Sequence, residues 1–504
     1  MRFIMRKVGV AVAATTFVLT SLGGAAFAAP PTPPPATPSS TPVAVQLVEG
    51  DTYAYVINVK QANPGQMKLA EQAVTDAGGT VVQAWPEIGV VVAHSTHVNF
   101  EANVVKVAKG NSVTSVGLTR GVPVTEGTPA NTGPDGSGGA IGKGQQWSAQ
   151  TDVETSGDTL NDVVPDPMES QQWDMSLIGA PAAHEITDGS PNVLVGVLDS
   201  GIDGDHVDLA SQIDRADSVS CIDAGQPDTS PTAWYPTTST HGTHVAGTIA
   251  AARNGTGIVG VAPGVKLASI KVVNDDGFIY PEYAICGFVW AAEHGVSVTN
   301  NSYYIDPFEY WCADQSDQGA ALEAVRRAVA FATSQGVVSV AAAGNSATDL
   351  NNAITDTGSP DDWGTPVHRT INQQCMNIPT ELPGVVTVSS ITSTSALSSF
   401  SNRGLGIIDV AAPGSNTLST LPGNKYGNMS GTSMASPHVA GVLALMKSVH
   451  PKWTPAQMIT ALRAEATPTP CPANAIGGAA CVGTTANNSY YGYGIVNALA
   501  AVQN

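Results

Sequence analysis

The run Tyr53-Ala54-Tyr55-Val56-Ile57-Asn58-Val59 alternates in the manner of a strand. Residues 66–77 then space their apolar side chains as a helix does. Residues 81–93 read as strand, turn and strand, 99–109 as a second helix, and 113–118 as a last strand. This order, strand–helix–strand–strand–helix–strand, predicts a small α+β unit of the ferredoxin-like kind. From about residue 169 the pattern changes. Short continuous apolar runs at 193–198, 267–273, 296–298, 337–343 and 385–388 alternate with helical stretches. A strand that is apolar on both faces belongs in a parallel sheet covered on both sides. The larger part of the chain is therefore predicted to be α/β. No internal repeat interrupts it.

Between and before these units the composition shifts. Residues 30–44 are rich in Pro, Thr and Ser and read as a flexible tether. From about 124 to 168 the chain is Gly-, Pro- and Ser-rich, then acidic, with Asp152, Glu154, Asp158, Asp162 and Asp166. An ordered loop of that length would be unusual inside a compact domain, so it reads as an exposed linker open to proteolytic nicking. At the start, Arg2, Arg6 and Lys7 precede an apolar run from Val8 to Leu22 and then Ala26-Phe27-Ala28. That order predicts a secretory signal cut after Ala28. The run is short of the roughly 20 residues that span a bilayer. The expected organisation is a signal over 1–28, a tether over 29–50, the small unit over 51–122, the linker over 123–168 and the large domain over 169–504.

The net charge of −20 argues against nucleic acid or an anionic membrane as a partner. It fits a protein dispersed outside the cell. Export would place Cys221, Cys286, Cys312, Cys375, Cys471 and Cys481 in an oxidising compartment, and an even count favours disulfides. Six cysteines allow 15 pairings. Cys471 with Cys481 closes a short Gly/Ala-rich loop. Cys312–Cys375 and Cys221–Cys286 are the expected partners for the rest. No C-x-x-C spacing supports a metal site.

Three polar clusters end or follow the buried elements. Asp199 follows the first apolar run, within Leu198-Asp199-Ser200-Gly201. Alone it would be an ordinary turn residue. His241 opens His241-Gly242-Thr243-His244-Val245-Ala246-Gly247, ahead of a helical stretch over 245–252. His244 competes as a second base or a metal ligand, but His-x-x-His lacks the glutamate of the zincin helix. Ser433 lies in Gly431-Thr432-Ser433-Met434-Ala435-Ser436-Pro437, where a tight turn enters a helix running to about residue 449. Alone it would be a helix cap. At that helix start the same geometry also presents a hydroxyl and a free backbone N–H to a substrate.

Asp, His and Ser in this chain order, each beside a glycine and a buried element, resemble the three signature segments of the subtilisin family. The resemblance runs from about 171 to 500. It is weaker over 53–120, which is similar to that family's inhibitory propeptide (inhibitor-I9-like). It implies a three-layer, mainly parallel α/β fold. It also implies a secreted serine endopeptidase, made as a zymogen, that acts as a monomer on protein or peptide substrates. Ser433 would be the nucleophile, His241 the base and Asp199 its orienting carboxylate. Asn345, in Ala343-Gly344-Asn345-Ser346, matches the oxyanion asparagine. Ser302 and Gly344 match substrate-binding positions, although Tyr303-Tyr304 replace the small residues many relatives carry. Two alternatives stay open, a catalytically silent binding protein on this fold and a processing peptidase of narrow specificity.

No cofactor is implied for the chemistry. A structural Ca²⁺ is implied, held by Asp208 and Asn254 with carbonyls near Ala252, Thr256 and Ile258. A third side-chain ligand near Glu169 or Gln171 does not align clearly. In Tyr491-Gly492-Tyr493-Gly494-Ile495, glycines are expected to allow close packing against the sheet.

Overall fold

The computed structural model describes residues 39–125, 148–149, 165–363 and 365–503. The signal expected over 1–28 and most of the expected linker lie outside the described residues.

The small unit follows the expected order: β1 (Tyr53–Val59), α1 (Pro64–Asp76), β2 (Gly79–Trp85), β3 (Val90–Ser95), α2 (Phe100–Ala108) and β4 (Val113–Leu118). Its antiparallel sheet has the strand order β2-β3-β1-β4. α1 begins earlier than the periodicity suggests because Asn63 caps it. The Asn63 side-chain oxygen accepts the Gln66 N–H at 3.0 Å, and Pro64 takes a first-turn position where an N–H has no helical partner.

The main elements of the large domain are β5 (Leu194–Asp199), β6 (Val219–Asp223), β7 (Gln226–Asp228), α3 (His241–Ala250), β8 (Lys266–Lys271), α4 (Pro281–Glu293), β9 (Val298–Asn301), α5 (Ser316–Ser334), β10 (Val338–Ala342), β11 (Val385–Ile391), β12 (Val410–Pro413), β13 (Thr417–Leu421), β14 (Lys425–Met429) and α6 (Thr432–Val449). One sheet orders its strands β12-β11-β10-β9-β5-β8-β6-β7. The named strand pairs are parallel apart from β6 with β7. Alternate side chains of β5 explain its unbroken apolar run. Val195 and Val197 join the core shared with α3 and α6, while Leu194 and Leu198 join the core shared with α4 and α5. The fold is thus α/β in three layers. From β5 the chain steps one way to β8, then crosses back to β9 and onward to β12. The crevice at such a reversal, outside the carboxyl ends of the strands, is where α/β sheets place their sites. β5, β9 and β10 end there. All three expected disulfides are present: Cys221–Cys286, Cys312–Cys375 and Cys471–Cys481.

The small unit packs on α4 and α5. Tyr55, Ile57, Val91 and Ala93 face its own helices, whereas Val56, Val90 and Val92 belong to the cluster built on α4 and α5. Both faces of its sheet are therefore covered. Polar contacts reinforce the seam. Asn58 Nδ2 donates to the Ala320 carbonyl at 2.8 Å, and Arg327 Nη1 donates to the carbonyls of Val59 (2.9 Å) and Gly89 (3.0 Å).

The end of the expected tether is docked. Ser40 donates its N–H and hydroxyl to the Asp314 carboxylate at 2.8 and 2.7 Å, and Thr41 N–H donates to the Thr370 carbonyl at 2.9 Å. Composition alone gave no sign of this, because the partners lie more than 270 residues away. The Tyr491–Ile495 segment runs beside β12, with Ala411 N–H donating to the Gly494 carbonyl at 2.9 Å. Gly492 (φ +54°) is required there, since a β-carbon would collide with the Asp409 carbonyl.

Candidate active site

Asp199 is the last residue of β5 and His241 the first of α3. Both are buried, at 0% and 1% exposure. His241 Nδ1 lies 2.8 and 2.9 Å from the two Asp199 oxygens. That contact assigns the proton to Nδ1 and leaves Nε2 as the acceptor. Asp199 Oδ1 also accepts the Ser200 N–H at 2.7 Å. Gly242 makes the approach possible, because a β-carbon there would strike the Gly201 carbonyl and sit 3.1 Å from Asp199 Oδ1.

Ser433 is the second residue of α6. It meets the same corner through Ser302, which follows β9. Ser302 Oγ donates to the Ser433 carbonyl at 2.9 Å, and Ser433 Oγ donates to the Ser302 carbonyl at 3.1 Å. β9 lies directly beside β5, with Asn301 opposite Leu198. Ser433 Oγ makes no hydrogen bond to His241. His241 Nε2 is buried with no partner among the described residues. Such bonds are often loose before substrate arrives.

Asn345 follows β10 and is aimed by Thr432. Asn345 Oδ1 accepts the Thr432 N–H at 2.8 Å and its hydroxyl at 2.9 Å, while Thr432 Oγ1 accepts the Gly344 N–H at 3.1 Å. The Asn345 oxygen is thereby occupied, and its Nδ2 is left to donate. A β-carbon at position 431 would sit 3.5 Å from that Nδ2 and 3.6 Å from the Ser433 nitrogen. Glycine keeps this space open between two donors, as a site for a negatively charged oxygen requires. Thr432→Val should remove the aim but leave the amide in place. The expected result is a fall of about tenfold in kcat, or about 1.4 kcal/mol, with little change in KM, read by steady-state peptide hydrolysis.

Sequence reasoning missed the residue that shapes this loop from behind. Asn402 Nδ2 donates to the Ala343 carbonyl at 2.9 Å, and its Oδ1 accepts the N–H groups of Ser346 (3.1 Å) and Thr348 (2.9 Å). Within Ser401-Asn402-Arg403-Gly404 it reads as a turn residue. The loop it serves is more than 50 residues away. Asn300 was also missed. It donates to Ser302 Oγ at 2.8 Å and accepts from Ser436 Oγ at 2.6 Å, tying the end of β9 to the start of α6.

Ser302, Gly344, Asn345 and Ser433 open onto a cavity of about 430 Å³ whose far wall includes Glu309, Thr355, Gly358 and Asn377. Tyr303 and Tyr304 line this cavity without closing it. Tyr303 turns its hydroxyl inward to Asn301 Oδ1 at 2.9 Å, and Tyr304 donates to Asp361 Oδ2 at 2.7 Å. The far wall is held by buried Arg369, which pairs with Asp356 at 2.5 Å and donates to the Tyr310 carbonyl at 2.6 Å.

His244 is neither a second base nor a ligand. Its Nε2 faces the carbonyls of Thr417 (3.0 Å) and Gly427 (3.1 Å), and burial pushes its pKa down to about 3. The residues expected around calcium do not fit a cation. Asp208 Oδ2 accepts the Ile258 N–H at 3.1 Å and the Tyr426 hydroxyl at 2.8 Å, and Oδ1 accepts Asn254 Nδ2 at 3.2 Å. The Asn254 oxygen accepts the Thr256 N–H at 2.9 Å. Donors thus fill the place where a cage needs converging oxygens. Glu169 pairs with Arg253 at 3.8 Å.

A family model described as the Subtilase family matches residues 190–494. The chain belongs to the subtilase family. Subtilisin E of Bacillus subtilis (strain 168) is 35% identical over 335 residues, 66% of this chain and 72% of that protein. Subtilisin BL of Lederbergia lenta is 33% identical over 335 residues, 66% of this chain and 100% of that protein. The solved Epidermin leader peptide processing serine protease of Staphylococcus aureus shares the fold. Its TM-score is 0.65 at 21% identity, covering 90% of this chain and 98% of that one. As a subtilase, the chain is a serine peptidase, and its chemistry needs no cofactor.

Proposed function

We propose that the chain is a secreted endopeptidase, made as a zymogen, in which Asp199, His241 and Ser433 act together on peptide bonds. The observation that carries this reading is the buried Asp199 carboxylate held on His241 Nδ1, which leaves the Nε2 lone pair to act as a base. The reading requires the Ser433 hydroxyl to turn from the Ser302 carbonyl toward that nitrogen. Oγ then attacks the substrate carbonyl carbon as Nε2 accepts its proton. The carbonyl oxygen becomes an oxyanion between Asn345 Nδ2 and the Ser433 N–H. Collapse breaks the C–N bond, and His241 gives its proton to the leaving amine. Water, deprotonated by the same nitrogen, hydrolyses the acyl-enzyme. The buried imidazolium formed on the way is stabilised by Asp199.

The small unit acts as an inhibitory, fold-assisting propeptide, supported by its ferredoxin-like sheet seated on α4 and α5. The chain is cut somewhere between about 120 and 170. Hydrolysis of casein by the secreted protein, with N-terminal sequencing, tests both points. An active form beginning at Ala29, or no hydrolysis by any processed form, would reject the reading.

Release of the propeptide should depend on pH. Burial first, then the neighbouring Asp317 carboxylate, push the Glu101 carboxyl on α2 up to about 8. The docked state therefore holds a proton that a free glutamate, ordinarily near 4.5, gives up. That contribution to docking is fully present below about pH 4.5 and is lost as pH rises through about 8. Processing and release should accelerate across that window. Glu101→Gln should flatten the dependence, measured as propeptide release against pH.

A further inference from the structure

The last residues of the small unit reach a socket on α4 that nothing in the peptidase chemistry requires. Arg120 follows β4 closely, and its side chain is 2% exposed. Its Nε donates to Glu282 Oε1 at 3.1 Å, and Nη2 donates to the same oxygen. The guanidinium carbon lies 4.1 Å from the centre of the Tyr280 ring and 5.3 Å from that of Tyr283. Next to it, Gly121 N–H donates to Asp362 Oδ2 at 3.0 Å, and Trp363 covers Gly121 so closely that a β-carbon would collide with its ring. Glu282 is fully buried, and its Oε2 has no partner among the described residues. A plane of charge against two aromatic rings, with two donors on one carboxylate, suits a guanidinium better than an ammonium.

The socket adjoins the cleft. Ile279, immediately before Tyr280, donates its N–H to Asp306 Oδ2 at 2.6 Å, and Asp306 N–H donates to the Ile279 carbonyl at 2.8 Å. Asp306 lies on the segment that begins at Ser302. Arg120 itself lies at the upstream edge of the stretch in which the chain is cut.

We propose that Tyr280, Glu282 and Tyr283 form a binding site for an arginine side chain upstream of the cleaved bond, occupied by Arg120 before maturation and by peptide substrates afterwards. This rests on the zymogen reading, because Arg120 must leave. Its departure leaves the Glu282 carboxylate without its cation, and an incoming arginine restores that pairing.

The test is a positional scan of fluorogenic peptides on the mature enzyme, with Arg, Lys or Leu at each upstream position. Wild type should favour Arg over Leu about tenfold in kcat/KM at one position, with Lys between them. In Glu282→Gln that ratio should fall to near one. If this variant fails to fold, Tyr280→Leu removes the stacking face and should lower the ratio several-fold. No arginine preference in wild type, or an undiminished ratio in the variants, overturns the proposal. Hydrolysis of Leu-bearing peptides reports separately on the peptidase reading. If no peptide is cut, that reading fails, and the socket loses its second occupant.

Discussion

Ser433→Ala should lower kcat by about 10⁶-fold, the size of loss seen when subtilisin loses its serine. The loss is large because, in the proposed mechanism, the hydroxyl is the group that becomes bonded to substrate. Asn345 and the residue 433 N–H then stabilise an oxyanion that no longer forms. The fold should survive. In the structure the hydroxyl donates to the Ser302 carbonyl, a bond worth about 1 kcal/mol. Circular dichroism and thermal unfolding should therefore match wild type closely. A second consequence concerns maturation. If the chain cuts its own linker, this variant should accumulate as the uncut precursor. Addition of a trace of active wild type should then release the mature form. Precursor that matures unaided would show that another protease does the cutting.

Asn345→Ala should cost about 10²–10³-fold in kcat with KM little changed, the loss expected for one oxyanion donor. The split follows from geometry. The Asn345 amide nitrogen borders the open space at Gly431, where the proposed mechanism develops charge only in the transition state. The ground-state substrate gains little from it. Asn345→Asp keeps the size but replaces the donor with an anion, and should be at least as damaging. A rise in KM with unchanged kcat would place Asn345 in ordinary substrate binding instead.

Much of this was legible in the sequence. β5 reads as a continuous apolar run because both of its faces are buried. Asp199, His241 and Ser433 sit in short segments whose glycines mark close backbone approaches, and Gly242 against the Gly201 carbonyl is the physical reason for one of them. What escaped were contacts between distant, unremarkable residues. Asn402 looks like a turn residue until the loop at 343–348 folds over it. Ser40 looks like tether until Asp314 is beside it. Arg120 and Glu282 are 162 residues apart, and neither lies in a motif. The residues expected around calcium are a different case. Asp208 and Asn254 occupy the matching positions, yet Tyr426 and two backbone N–H groups supply donors where a cation would need oxygens. Side-chain torsions are also invisible to pattern. Nothing in Gly431-Thr432-Ser433 says that the hydroxyl would rest on the Ser302 carbonyl.

The most direct measurement is labelling of the processed protein with a serine-directed fluorophosphonate, followed by mapping of the adduct. The account predicts a single adduct on Ser433 in wild type, and labelling slowed by several orders of magnitude in His241→Ala. An adduct on another residue, or labelling of His241→Ala at the wild-type rate, would contradict it.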